Sequence, residues 1–131
     1  MRQSINLQNI SLLALSLLLT IKIIADLTEE KSFLQELQLT SRQISQIETI
    51  KKENYPKLSQ QQKIIQAQEE ILEKLIREGK TKEVLEKHWQ WTEQKAKLSH
   101  LKLTVILKIR AELQPEQKKK MDHFMINRYF K

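Results

Sequence analysis

Only three residues in this chain, Pro56, Gly79 and Pro115, are of the types that ordinarily stop or bend a helix. A β architecture needs a turn about every ten residues, and turns draw on glycine and proline. A chain of 131 residues with one glycine and two prolines cannot supply them. Gln, Lys, Glu and Leu fill much of the space between, and these lose little freedom in a helix. The expected fold class is therefore all-α. The length allows one small domain of about 100 residues and an N-terminal segment ahead of it.

That segment is apolar. Ile10 to Ile21 is nearly unbroken hydrophobic sequence, with Arg2 before it and Lys22 after it. The run fits the core of a signal peptide and is short of the roughly 20 residues of a full span. Adding Ile23 to Leu27 lengthens it, and Lys22 can extend its charged end toward the interface. Ala25 has Ile23 two positions before it, so no small-x-small cleavage site is formed. An uncleaved membrane anchor through residues 10–27 competes with a cleaved signal over 1–27. Either places residues 28–131 outside the cytoplasm, and the expected location is the periplasm.

Residues 28–38 form a lead-in with Phe33, Leu34 and Leu37 on one side. From Ser41 the apolar spacing is helical: Ile44, Ile47, Ile50, Leu58, Ile65, Leu72, Leu75 and Ile76. Pro56 either kinks this helix or splits it into 41–54 and 56–78. Gly79 is a natural stop. Thr81 opens a second helix over about 81–112, with Val84, Leu85, Trp91, Leu98, Leu101, Val105 and Ile109 as apolar positions. A last helix covers about 115–128.

So short a connection makes the two long helices antiparallel neighbours. The expected architecture is a long antiparallel helical hairpin with short flanking helices. Leu101 to Ile109 is apolar nearly all round, more than a lone hairpin can bury, so a hairpin homodimer is expected. A coiled-coil scaffold is the plainer alternative, but Pro56 and the changing spacing argue against a regular heptad. Trp89 and Trp91 lie on different faces, so one is expected in the core and the other exposed or at an interface.

Two helix starts resemble each other: Leu39-Thr40-Ser41-Arg42-Gln43 and Leu113-Gln114-Pro115-Glu116-Gln117. In the first, Thr40 can cap the next turn's amides while Gln43 reaches back from the third helical position. In the second, Pro115 occupies the first helical position and Glu116 favours the positive end of the dipole. The cap there is weaker, because Gln114 stands where a hydroxyl is expected.

With the apolar N-terminus and the helical chain between, these segments resemble the LTxxQ-motif periplasmic proteins. That family comprises chaperones and regulators of the Spy/CpxP type and heavy-metal-resistance sensors of the CnrX type. The run Arg110-Ala111-Glu112-Leu113-Gln114-Pro115-Glu116-Gln117 looks most like the sensor branch, and the resemblance covers about residues 34–131. It implies a dimer of helical hairpins, with Leu39, Thr40, Gln43, Arg110, Leu113, Pro115, Glu116 and Gln117 as its motif residues.

The sensor branch binds nickel or cobalt through His, Glu and Met. Its His-x-x-x-Met pair falls here on Val105 and Ile109, and residues 28–38 contain no histidine. The usual ligands thus have no counterparts. A rebuilt divalent-metal site has four candidates, His100, His123, Met121 and Met125, whose soft sulfur and imidazole would suit copper best. Core filling by the methionines is the plainer account. With no cysteine, no thiolate site or disulfide is available.

Nothing points to catalysis: no phosphate loop, no cysteine nucleophile and no convergent Ser-His-Asp set. Net charge is +7, and the excess gathers near the C-terminus in Lys118, Lys119, Lys120, Arg128 and Lys131. No nucleic-acid-binding fold accompanies it, so nucleic acid is not an expected partner. Three functions follow in order. The first is a membrane-anchored sensor or regulator of the heavy-metal-resistance type, acting through a membrane-bound anti-sigma or sensor partner. The second is an ATP-independent chaperone or stress adaptor that binds unfolded clients. The third is a structural helical dimer.

Overall fold

The computed structural model describes residues 33–131, and among these it contains helices and connecting turns with no strand. The all-α class is as expected. The chain divides into two compact units, one ending at Glu36 and one spanning Leu37–Lys131. Of the first unit, residues 33–36 are helical. Residues 10–27, expected to serve as anchor or signal, lie outside the described residues.

In the second unit, helix α1 spans Ser41–Arg77, helix α2 Thr81–Ala111 and helix α3 Pro115–Tyr129. Helix α1 has 37 residues and so is about 55 Å long. It runs unbroken through Pro56, which settles the choice left open at that residue against a split. The reason lies in exposure. Proline deprives the Lys52 carbonyl of its helical donor, and both Lys52 and Pro56 face solvent, where water can replace it.

Gly79 ends α1 as its spacing foretold, with φ of +69°. The Lys80 amide donates to the Leu75 carbonyl and the Gly79 amide to that of Ile76, each at 3.1 Å. These are the two crossed bonds of a Schellman cap, which needs the left-handed conformation that glycine adopts without cost.

Helices α1 and α2 pack along one another with opposite chain direction. Asn54, Gln61 and Glu69 of α1 bond in turn to Lys108, Gln94 and Trp91 of α2. Ile47, Ile65 and Leu72 are buried on α1, and Leu98, Ile106 and Ile109 on α2. Between them runs a polar row that the apolar pattern did not reveal. Asn54, Gln61 and Gln68 recur every seventh residue on the inner face. The Gln61 amide donates to Gln94 Oε1 at 2.8 Å and to the Gln94 carbonyl at 3.1 Å. Gln68 Oε1 is buried without a partner.

Three residues expected in the apolar stripes are instead exposed: Ile44, Ile76 and Leu85. Amides occupy part of the inner seam, and these side chains lie outside it. Trp91 is half-buried, donating to Glu69 at 3.1 Å and lying 4.3 Å beneath the Lys95 ammonium, whereas Trp89 is 75% exposed.

Because Pro56 sits on the wet side of a continuous helix, Pro56→Ala restores one backbone bond and removes a clash. We expect it to stabilise the chain by about 2–3 kcal/mol, read as a raised urea midpoint. A lower midpoint would mean that the proline shapes α1 in a way its neighbours require.

Candidate functional site

The most organised polar site is the meeting of the two helix starts. Thr40 is the N-cap of α1, its Oγ1 accepting from the Gln43 amide at 3.2 Å. Gln43 Oε1 accepts from the Thr40 amide at 3.0 Å, closing the box. At α3, Gln117 Oε1 accepts from the Gln114 amide at 2.9 Å. Each glutamine thus spends one oxygen lone pair at home.

The remaining capacity is spent across the fold. Gln43 Nε2 donates to Gln117 Oε1 at 2.8 Å and to the Glu112 carbonyl at 3.1 Å. Gln117 Nε2 donates to the Leu37 carbonyl at 3.0 Å and to Gln43 Oε1 at 3.3 Å. Residues 74 apart in sequence therefore form a reciprocal carboxamide pair. Each oxygen accepts twice and each nitrogen donates twice, the full complement of a primary amide.

Chemistry makes glutamine hard to replace in this pair. Glutamate would lose both N–H donors and set negative charge against a carbonyl oxygen. Asparagine is one methylene short of the same reach. Flipping either amide would aim an NH2 group at a backbone N–H, so one orientation is selected. Burial strengthens the network: Gln43 is only 5% exposed, and Leu37 and Ile47, near it in sequence, and Leu113 and Met121, near Gln117, are all buried.

The Leu37 carbonyl is presented by a turn in which Gln38 has φ of +52°, a left-handed conformation that a side chain disfavours. The strain falls where the backbone has to deliver an acceptor to Gln117.

A second link joins α2 to α3. Arg110 donates through Nε to Asp122 Oδ1 and through Nη2 to Oδ2 at 3.0 Å, a two-pronged pair. The Arg110 guanidinium holds the Asp122 carboxyl below its usual range, and Lys118 adds to this, while Asp122 raises Arg110. Arg110 came from the family resemblance; Asp122 had no such signal beyond being the one acid among C-terminal lysines.

Of the motif residues, Leu113 is buried, Leu39 half-buried, and Pro115 and Glu116 exposed, with Pro115 opening α3. Glu116 pairs with Lys119 at 2.9 Å. The four metal candidates do not converge. Met121 and Met125 are buried at 2% and 8% exposure, whereas His100 and His123 are exposed. His123 Nε2 instead lies 3.0 Å from Asn127 Nδ2. Helical positions two apart do not face each other, which separates His123 from Met121 and Met125. Among the described residues no group of three His, Cys, Asp or Glu is placed to hold a metal ion.

The arrangement is a latch, in which the two carboxamides are saturated by each other and by nearby backbone groups. Among the described residues no helix is long and apolar enough to cross a membrane. No family model matches the chain, and neither curated proteins nor solved structures yield a match.

The depressed Asp122 value fixes the sign of an acid effect. Its stabilisation is present above the unfolded-state value, about pH 4, and is lost as pH falls through the lower folded-state value. We expect Asp122→Asn to lower the melting temperature at pH 7 and the gap to the parent to narrow as pH falls below about 4. A gap that persists unchanged into acid would show that the ion pair does not fasten α3.

Proposed function

We propose that the chain is a metal-independent regulatory protein of the cell envelope, anchored through residues 10–27 and acting through a membrane-bound protein partner. In this reading, residues 28–131 stand in the periplasm as paired helical hairpins. The observation that carries it is the surface of α3. Lys119 and Lys120 are exposed on it, and so are Ile126 at 50% and Phe130 just past its end at 73%. Basic groups beside exposed apolar ones suit an acidic protein surface, where charge guides encounter and apolar area supplies affinity. Polar side-chain contacts fasten this helix, through Gln117 and Asp122. Such contacts are specific and reversible, as a regulatory element requires.

The resemblance to heavy-metal-resistance sensors supports the setting, and the dispersed His and Met side chains turn the reading away from metal. A chaperone role is the second reading. It is favoured by the exposed isoleucines of α1, Ile44, Ile64, Ile71 and Ile76, on a chain of net charge +7.

Photo-crosslinking in cells from Lys119 and Ile126 separates the two. A regulator gives one discrete adduct of fixed mass from the membrane fraction, and the purified chain leaves the aggregation of a reduced test protein unchanged. A smear of many adducts together with suppressed aggregation would overturn the regulator in favour of the chaperone.

A further inference from the structure

Among the described residues two have positive φ, Gly79 at +69° and Gln38 at +52°. At Gly79 the left-handed backbone is free of steric cost, because there is no Cβ to crowd the following carbonyl. At Gln38 a full side chain meets that crowding, and only glycine, with asparagine and aspartate on occasion, visits this region routinely. The Gln38 side chain is exposed, so its own burial does not hold it there. Other contacts must keep the residue in a conformation that its sterics oppose.

Those contacts flank it on both sides. Leu37 is buried at 3% exposure, and its carbonyl accepts from Gln117 Nε2 at 3.0 Å. Two residues after Gln38, Thr40 is fixed as the N-cap of α1 by its reciprocal bonds with Gln43. The Leu37 carbonyl and the Gln38 amide belong to one planar peptide unit, whose rotation is set by ψ of Leu37 and φ of Gln38. With the Leu37 side chain and Thr40 both held, a return of Gln38 to negative φ swings this plane and turns the carbonyl away from Gln117. The bond to α3 and the strain at Gln38 form together and are lost together.

We infer that Leu37 and Gln38 are a strained strap across the start of α3: the left-handed turn presents the carbonyl, and relaxing the turn loosens the helix. Of the two acceptors of Gln117 Nε2, the one then left is Gln43 Oε1 at 3.3 Å. A residue poised between two backbone regions is a two-state element, and a force on the chain ahead of it biases the choice. Gln38 is the second residue of the unit that begins at Leu37, where the chain arrives from the N-terminal unit. Tension along the chain at that point reaches α3 through one peptide plane. The use of the strap to regulate partner binding rests on the surface proposed above for α3; the strap itself does not.

Native-state hydrogen exchange of the full chain in mild detergent reads the strap directly, because local opening of α3 shows at its own amides. Gln38→Gly relieves the crowding and should slow exchange along α3 about fivefold. Gln38→Val adds a branch at Cβ, which this region tolerates least, and should speed it by roughly the same factor. Position 38 is exposed, and the amides of residues 81–98 in α2 should keep the parent's rates in both variants. After Gln117→Ala the residue at position 38 should no longer affect α3, since the carbonyl it presents has lost its donor. If that variant does not fold, the series at position 38 decides alone.

Exchange in α3 that is the same with Gly, Gln or Val at position 38 would overturn the strap. So would a shift of equal size in α3 and in residues 81–98, which would make the strain a matter of global stability. An effect of position 38 that persists after Gln117→Ala would overturn it as well. None of these outcomes touches the regulatory role, which is read from adducts on α3, and a smear of adducts would leave the strap standing.

Discussion

The carboxamide pair of Gln43 and Gln117 is the contact on which the domain depends. It is one interaction with three duties: it completes two helix starts, joins α1 to α3, and fixes the Leu37 and Glu112 carbonyls. An exposed amide pair would be worth little, because water competes for every bond. Here Gln43 is largely withdrawn from water, and a partner lost to it leaves a donor or acceptor with little to replace it. The network is therefore strong mainly through the penalty of breaking it.

Its consequence is directional. A helical chain with few breakers can slide or splay, since apolar stripes tolerate shifts in register. Fixed amide geometry does not tolerate them. The same logic recurs along the seam, where Gln61 meets Gln94 and Asn54 meets Lys108. A polar seam gives up apolar burial and selects a single alignment. Arg110 and Asp122 then link α3 to α2, adding to the burial of Met121 and Met125 in holding a short helix that also carries Lys118, Lys119 and Lys120.

Helix content, the stop at Gly79 and the two capping starts were legible in the sequence, because each depends on local backbone chemistry. Thr40 and Gln43 reveal a capping box within four residues. Their long-range use was not legible. Nothing in the segment around Gln43 says that its amide protons reach Gln117, and only the equivalent position of both glutamines hinted at it. The polar inner row escaped for a related reason. Period-based reading looks for apolar residues on the buried face, and Asn54, Gln61 and Gln68 read as surface until the helices are set side by side. Ile44 and Leu85 fooled the same rule in the other direction, being apolar and exposed. The disposition of the metal candidates is a matter of direction: His123 is two positions from Met121 and two from Met125, which on a helix turns it away from both.

The most direct test of this account is a double-mutant cycle on Gln43→Ala and Gln117→Ala, read by chemical denaturation of the full chain. If the pair is the joint described, the two losses overlap, and the coupling is about 1–3 kcal/mol. Additive losses, with coupling near zero, would mean that each glutamine only caps its own helix and that α1 and α3 are joined by something else.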